Sequence, residues 1–80
     1  MENRIRHYIA VDPDFCHGKP RFRGTRIPVT TVLELLEGGM TVEDILRGYP
    51  SLNLKAIQAA LHYAVQRIEN EEFLPLASGK

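Results

Sequence analysis

Glycine residues divide residues 29–70 of this 80-residue chain into three segments of helical pattern. Gly38 and Gly39 form the first interruption and Gly48 the second, and glycine readily takes the left-handed conformation that ends a helix. Apolar residues recur at helical spacing on both sides of these interruptions. We therefore expect a set of short helices that must pack together to share one small core.

Capping residues predict where the helices begin and end. The first helix runs from Val29 or Thr30 to Glu37, opening with hydroxyl residues and continuing with apolar groups at the spacing of one face. Thr41 is an N-cap candidate for the second helix, because an acidic residue follows it three positions later in a variant of the capping box. Gly48 ends that second, short helix.

The third predicted helix is the longest, with Asn53 as its cap and its end near Asn70. Its apolar residues repeat with a 3.6-residue period, which predicts one buried stripe. The second helix, a turn and the third helix have the order of a helix-turn-helix, in which the later helix lies in the DNA major groove. The predicted buried stripe consists of Leu54, Ile57, Leu61, Ala64, Val65 and Ile68.

The first 28 residues predict a short β part. Ile5, Ile9 and Val11 share one parity in segment 5–11, which indicates a half-buried strand. Turn-forming residues within 15–26 predict short strands or an extended hairpin.

The expected fold is a single domain, mainly α with a short N-terminal β part. Residues 1–28 form the strand or hairpin segment, 29–70 the three-helix helix-turn-helix of winged-helix or homeodomain-like type, and 71–80 a C-terminal tail. The first residues lack a signal-peptide core and no apolar run is long enough for a membrane span, so we expect a cytoplasmic protein that does not enter a membrane. The single cysteine, Cys16, fits a reducing compartment.

No pattern indicates catalysis or a metal site. Cys16 and His17 are neighbours, which on an extended chain point to opposite faces, so they make a poor nucleophile and base pair. His7 and His62 lack metal-ligand spacing, and the consecutive carboxylates at 43–44 diverge by about 100° on a helix. We expect a binding domain with no enzymatic activity, cofactor or metal.

Three sequence words point to a family. The words are GKPRFRGTRIPV at 18–29, LLEGGMTVEDI at 35–45 and YPSL at 49–52. Together they resemble the DUF433 family, and the resemblance extends from Ile9 to about Ala64. It implies a winged-helix or homeodomain-like fold similar to VapB-type antitoxins.

The function implied by the resemblance is that of a DNA-binding antitoxin in a type II toxin-antitoxin operon. Such a protein represses its own promoter, typically as a homodimer on operator DNA, and neutralises a PIN-like ribonuclease toxin. Two residues depart from the family pattern: His17 stands where glycine is more usual, and Asn53 replaces a Ser or Thr cap.

Candidate DNA contacts follow if the third helix reads bases. Glutamine pairs with adenine and lysine reaches guanine or phosphate, although an ordinary solvated helix face would look the same. The residues of the third helix outside the predicted buried stripe are expected to face solvent, and the candidate base contacts among them are Lys55, Gln58, Ala59, His62 and Gln66. The candidate phosphate contacts are Arg47, Arg21, Arg23 and Arg26.

The arginine-rich word has a structural alternative, which we favour over direct DNA contact. Gly24 and Thr25 would build a tight turn, and Arg23 or Arg26 would bond to a helix carboxyl end or to one of the aspartates at 12–14.

The tail combines acidic and apolar residues and is either a frayed terminus or a segment that orders on the toxin. The candidate toxin-binding residues are Glu71, Glu72, Phe73, Leu74 and Leu76.

Charge favours a second class of function. The net charge is zero, residues 1–30 carry six basic and three acidic groups, and residues 31–80 carry four basic and seven acidic groups. Domains that bind DNA unaided are usually basic. The alternative is therefore a protein-interaction module in which the helix-turn-helix is purely structural.

Overall fold

The computed structural model describes residues 2–14 and 18–70. This part of the chain is mainly helical, with four helices and one small antiparallel sheet, and the predicted bounds of the three later helices are confirmed. The elements in chain order are α1 Glu2–Tyr8, β1 Ile9–Ala10, β2 Arg21–Phe22, α2 Val29–Glu37, α3 Val42–Gly48 and α4 Leu54–Asn70.

The strand predicted over residues 5–11 is wrong for most of its length. The chain is helical up to Tyr8, strand pairing covers only Ile9–Ala10, and Val11 is 55% exposed. Ile5, Tyr8 and Ile9 are spaced i, i+3 and i+4, so they also fit one face of a helical turn. Packing of α1 against α4 selects the helix over the strand.

The sheet joins the end of α1 to the segment before α2. Ile9 pairs with Phe22, and the amide of Arg23 donates to the Tyr8 carbonyl at 2.8 Å. The strand expected within 15–26 is therefore confirmed at Arg21–Phe22. The amide of Val29 donates to the Pro20 carbonyl at 3.0 Å, which places the start of α2 beside this sheet.

The two ends of α2 are formed differently. Pro28 is its N-cap residue and supplies no side-chain cap bond, and the expected hydroxyl residues, Thr30 and Thr31, lie inside the first turn of the helix. At the other end Gly39 has φ +97°, its amide donates to the Leu36 carbonyl, and the Met40 amide donates to the Leu35 carbonyl. This pair of bonds is a Schellman motif, which ends the helix where the glycines predicted.

The core lies where α2, α3, α4 and the sheet meet. Its largest side chains are at most 1% exposed: Phe22, Val29, Val32, Ile45 and Ile57. The helix α4 completes the core with small residues, since Ala56, Ala59 and Ala60 are all buried. No helix within the described ranges combines the length and the apolar character that crossing a membrane requires.

Candidate nucleic-acid interface

Two side-chain caps set the geometry of the segment from α3 to α4. The Thr41 hydroxyl accepts from the Asp44 amide at 3.1 Å, and Oδ1 of Asn53 accepts from the Ala56 amide at 2.8 Å. Both predicted caps are confirmed. Between them the Leu52 amide donates to the Tyr49 carbonyl at 2.9 Å, and the buried Leu52 side chain anchors the turn to the core.

Of the residues of α4 that were predicted to contact DNA, those that are exposed lie in the first two turns of the helix. Lys55 and Gln58 are both exposed and lie three residues apart, so they are neighbours on one face of the helix. The first turn of α4 contains no acidic residue that would repel a phosphate. This end of α4 is therefore chemically suited to a nucleic acid.

Further along α4 the predicted outward face is only partly correct. Ala59 is fully buried, so its predicted outward position is wrong. His62 and Gln66 are half-buried rather than exposed. The Nε2 atom of His62 is itself shielded from solvent and has no hydrogen-bond partner among the described residues, so this ring faces the protein rather than a groove.

Most of the large residues of α4 that were predicted to be buried are instead exposed. Leu61, Val65 and Ile68 are 45%, 49% and 69% exposed, and Leu54 is 50% exposed. Only Ile57 of the large residues predicted in that stripe is buried. The buried face of α4 is thus turned by about one residue, or about 100°, from the expected face.

Arg23 has a structural role at the end of α1. Its Nε donates to the Arg6 carbonyl at 3.0 Å and its Nη2 to the Ile9 carbonyl at 3.4 Å. Arg6 lies in the last turn of α1, so the predicted bond from the arginine-rich word to a helix carboxyl end is confirmed for Arg23. A cation at a helix carboxyl end also interacts favourably with the helix dipole.

The turn after β2 is held by its own hydrogen bonds, as the structural alternative predicted. Thr25 Oγ1 donates to the Phe22 carbonyl at 2.7 Å and accepts from the Ile27 amide at 3.0 Å, while Gly24 has φ +80°. Nη1 of Arg21 donates to the Thr25 carbonyl at 3.2 Å, which orients Arg21 along this turn.

The two other arginines proposed as phosphate contacts are exposed. Arg26 lies on the surface of the turn after β2, and Arg47 lies in the last turn of α3. Arg47 forms an ion pair with Asp44, and its hydrogen bond, followed by that of Thr41, lowers the pKa of the Asp44 carboxyl. A phosphate that binds Arg47 would compete with this exposed carboxylate.

A cleft beneath the start of α4 was not predicted. It has a volume of about 250 Å³, and its walls include Tyr8, Arg23, Ser51 and Asn53. These residues come from the end of α1, the turn after β2 and the turn before α4, so no local sequence pattern could have indicated the cleft. It brings the Arg23 turn next to the end of α4 that carries Lys55.

The tail residues predicted to bind a toxin, Glu71, Glu72, Phe73, Leu74 and Leu76, lie outside the described residues, as do Cys16 and His17. Within residues 2–14 and 18–70, no group of three or more His, Cys, Asp or Glu side chains is arranged to hold a metal ion.

Comparison with known proteins defines the class of the domain. The family described as "Protein of unknown function (DUF433)" matches residues 9–64. A crystal structure of a DUF433 member protein from Anabaena variabilis ATCC 29413 superimposes with a TM-score of 0.75 at 34% sequence identity, covering 85% of this chain and 67% of that chain. The chain belongs to the DUF433 family.

Two curated relatives are longer proteins. The uncharacterized protein y4eO of Sinorhizobium fredii is 39% identical over 59 residues, which are 74% of this chain and 27% of that protein. The uncharacterized protein Rv2308 of Mycobacterium tuberculosis is 36% identical over 55 residues, which are 69% of this chain and 23% of that protein. The chain thus spans about a quarter of the length of these relatives.

Proposed function

We propose that this DUF433 domain is a DNA-binding antitoxin of a type II toxin-antitoxin operon. In this function it represses its own promoter as a homodimer in the cytoplasm and neutralises a PIN-like ribonuclease toxin. The observation that carries the DNA-binding part is the exposed pair Lys55 and Gln58 at the start of α4, directly after the short capped helix α3 and its turn. In a helix-turn-helix, this part of the second helix contacts base edges.

Base contacts are assigned to Gln58 and Lys55 alone. Glutamine forms two hydrogen bonds with adenine, and lysine reaches guanine or a phosphate. The positive end of the helix dipole lies at the same end of α4 and favours a nearby phosphate. Ala59 and His62 take no part in this contact, because neither presents its side chain freely to solvent.

Phosphate contacts are assigned to Arg26 and Arg47, whose side chains are exposed. Arg23 is assigned a structural role instead, because its guanidinium already bonds two backbone carbonyls at the end of α1. Arg21 bonds the carbonyl of Thr25 and is half-buried, so we assign it to the turn as well.

Toxin binding is assigned to the tail because of its composition. Glu71 and Glu72 precede Phe73, Leu74 and Leu76, and this order combines acidic groups with apolar anchors. A short segment of this kind can order on a partner and supply large side chains to pockets on it.

A second candidate function is a protein-interaction module that does not recognise DNA sequence. It is favoured by the exposed aliphatic residues Leu61, Val65 and Ile68 on α4 and by the net charge of zero. Apolar side chains grouped on a surface typically mark a contact with another protein rather than with DNA.

A mobility-shift titration separates the two functions. The purified chain is titrated against its own upstream DNA and a scrambled control, at low and physiological salt, with and without the product of the adjacent gene. Sequence-selective binding that the neighbour strengthens would support the antitoxin. A stable protein complex without DNA selectivity in any condition would favour the interaction module.

Two variants test the role of α4 in that binding. Gln58→Ala should relax discrimination at one base pair by about 1–3 kcal/mol. The matched control is Asn70→Ala, which removes an exposed amide from the far end of the same helix. If both variants keep the discrimination of the parent chain across operator variants, α4 does not read bases.

A further inference from the structure

The cleft beneath the start of α4 combines an apolar lining with basic and hydrogen-bonding groups. Within the described ranges, none of the residues that line it is acidic. Its apolar surface comes from Tyr8, Phe22, Leu52 and Ala56, and its polar groups belong to His7, Arg23, Ser51 and Asn53. An apolar lining with a few convergent polar groups is the usual form of a small-molecule site. The absence of acidic groups from this lining favours a ligand that carries a negative charge.

Arg23 is held in position by one edge of its guanidinium and leaves the other edge unused. Its Nε donates to the Arg6 carbonyl at 3.0 Å and its Nη2 to the Ile9 carbonyl at 3.4 Å. The remaining edge, formed by Nη1 and the second hydrogen of Nη2, has no partner among the described residues. Such an edge matches the two oxygens of a carboxylate with two parallel hydrogen bonds. Little side-chain entropy is lost on binding, because the group is already fixed.

The other polar side chains of the cleft also leave donors unused. Oδ1 of Asn53 accepts from the Ala56 amide at 2.8 Å, so the NH₂ group of Asn53 remains for a ligand. The Ser51 hydroxyl and the His7 ring are exposed and form no hydrogen bond within residues 2–14 and 18–70. The unused polar groups are therefore mainly donors, which suit an ionised carboxylate because its oxygens only accept.

The volume of the cleft limits the size of the ligand. It is about 250 Å³, whereas pockets for drug-sized ligands have roughly 300–1,000 Å³. A single ring or a short branched chain with one carboxylate is of suitable size. An inorganic phosphate would leave the apolar walls at Phe22 and Leu52 in contact with water, so it fits the lining less well.

We propose that this cleft binds a small organic acid, with the carboxylate on the unused edge of Arg23 and the apolar group against Tyr8 and Leu52. The site is separate from the proposed base contacts of Lys55 and Gln58, and it does not depend on the proposed function. A bound acid would contact the end of α1, the turn after β2 and the turn before α4 at once. It would therefore stabilise the folded chain, since the unfolded chain lacks the cleft.

Titration of the full chain with phenylacetate, followed by the NMR shifts of backbone amides, tests the site. We expect saturable shifts at Gly24, Ser51 and Asn53 with a Kd of about 1 mM, in keeping with a ligand of about ten non-hydrogen atoms. Phenylacetamide has the same shape without the charge and should bind at least about tenfold more weakly. Shifts that do not saturate, or equal affinity for the amide, would overturn the proposal.

A pair of variants at Ser51 tests the position of the carboxylate without changing Arg23. Ser51→Asp places a negative charge in the wall of the cleft and should weaken phenylacetate binding at least about tenfold. Ser51→Asn is the matched control, because it is similar in size and uncharged, and it should bind like the parent chain. Ser51 is exposed, so both variants should fold, which circular dichroism checks. Equal binding by the two variants would contradict a carboxylate in this cleft.

Arg23→Lys tests the paired hydrogen bonds themselves. Lysine keeps the charge but lacks the planar edge, so binding should weaken at least about tenfold. Arg26→Lys makes the same change at an exposed arginine of the same turn that does not line the cleft, and it should leave binding unchanged. Equal losses in the two variants would mean that Arg23 does not hold the acid.

Two further ligands define the chemistry that the cleft recognises. Inorganic phosphate that bound as tightly as phenylacetate would mean that charge alone is recognised, and it would overturn the role of the apolar walls. A dipeptide ending in phenylalanine that bound more than about tenfold more tightly would assign the cleft to the carboxyl end of a polypeptide instead of a small acid.

The outcomes distinguish this inference from the proposed function. Carboxylate binding by a chain that shows no DNA selectivity would leave the inference standing and contradict the proposed function. Selective DNA binding by a chain that binds neither phenylacetate nor the dipeptide would overturn the inference alone.

Discussion

The two faces of α4 differ in residue size and in surroundings. The inner face packs into the core with Ala56, Ala59 and Ala60, while the outer face exposes Leu61, Val65 and other large aliphatic side chains. Ordinarily the larger apolar residues of a helix are the buried ones, because they remove more surface from water. The difference teaches that close packing, as well as hydrophobicity, decides which face of a helix enters the core.

The short side chains of the inner face explain this choice. The elements α1, α2, α3 and β1 all contact α4. Alanines let the backbone of α4 approach these neighbours closely, and protein interiors leave little free volume for larger groups. Two larger residues of α4 join the alanines in this packing: Ile57 is 1% exposed, and Tyr63 is half-buried and packs against the core.

The largest effect on stability should come from truncating a large side chain on the inner face of α4. We expect Ile57→Ala to lower the free energy of unfolding by about 2–5 kcal/mol, because it leaves a cavity in the core. Ile68→Ala removes the same atoms from a residue that is 69% exposed, and should change stability by less than about 0.5 kcal/mol. Urea denaturation at a low protein concentration measures both, and equal losses would contradict the assignment of the two faces.

Enlarging the inner face should have the next largest effect. We expect Ala60→Leu to destabilise the domain by about 1–3 kcal/mol, because the fully buried site has no room for three more carbons. Gln58→Leu adds an apolar side chain to an exposed position on the same helix and should be nearly neutral in the monomer. Thermal unfolding measures both variants. If Ala60→Leu unfolded at the same temperature as the parent chain, position 60 would have free space beside it, which would contradict close packing of the inner face.

Removing the N-cap of α4 should lower the free energy of unfolding by less, because the cap lies at the start of the helix and belongs to neither of its faces. Asn53→Ala loses the bond from Oδ1 to the Ala56 amide, and we expect a loss of about 1 kcal/mol. Asn53→Asp keeps an oxygen acceptor and should retain most of the stability. Chemical denaturation of both variants checks the cap, which would have no role if Asn53→Ala unfolded like the parent chain.

The smallest effect should be the pH dependence that comes from Asp44 on α3. The hydrogen bond from Arg47, and then that from Thr41, lowers the pKa of this carboxyl below its ordinary value of 3.8. Its contribution to stability is therefore present above that value and is lost as the pH falls through the lower pKa of the folded chain. The size is small because the pair is exposed to solvent.

Acid titration of stability in Asp44→Asn measures this contribution. Below about pH 4, where an ordinary aspartate takes up its proton, the free energy of unfolding should fall less in the variant than in the parent chain. Glu43→Gln serves as the control, because Glu43 is also exposed in the first turn of α3. An identical acid profile for the parent chain and Asp44→Asn would remove Asp44 from the acid response.

Prediction from sequence succeeded where the causes are local. Thr41 and Asn53 cap their helices through bonds to residues three positions later, and Gly39 ends α2 with a positive φ. Each of these depends on a few consecutive residues, so the pattern alone was sufficient. The candidate site was predicted only in part: Lys55 and Gln58 are exposed as expected, and the cleft beneath them was missed.

The segment before α2 shows how a local pattern can be ambiguous. Ile5 and Ile9 satisfy both the alternation of a strand and the spacing of a helix, and contact with α4 decides between them. Arg23 is a contrasting case: a bond from Arg23 or Arg26 to some helix carboxyl end was one of the expected alternatives, but the acceptor, the Arg6 carbonyl 17 residues away, could not be named because α1 was predicted as a strand.

The sequence by itself determined the lengths and ends of α2, α3 and α4, because capping and termination depend on short-range hydrogen bonds and on backbone conformation. Only the tertiary structure decided that α1 is a helix, that a cleft separates Arg23 from Ser51, and that α4 buries alanines while Val65 faces solvent. Those choices depend on how closely distant segments can approach, and that distance is set by the packing of the whole core.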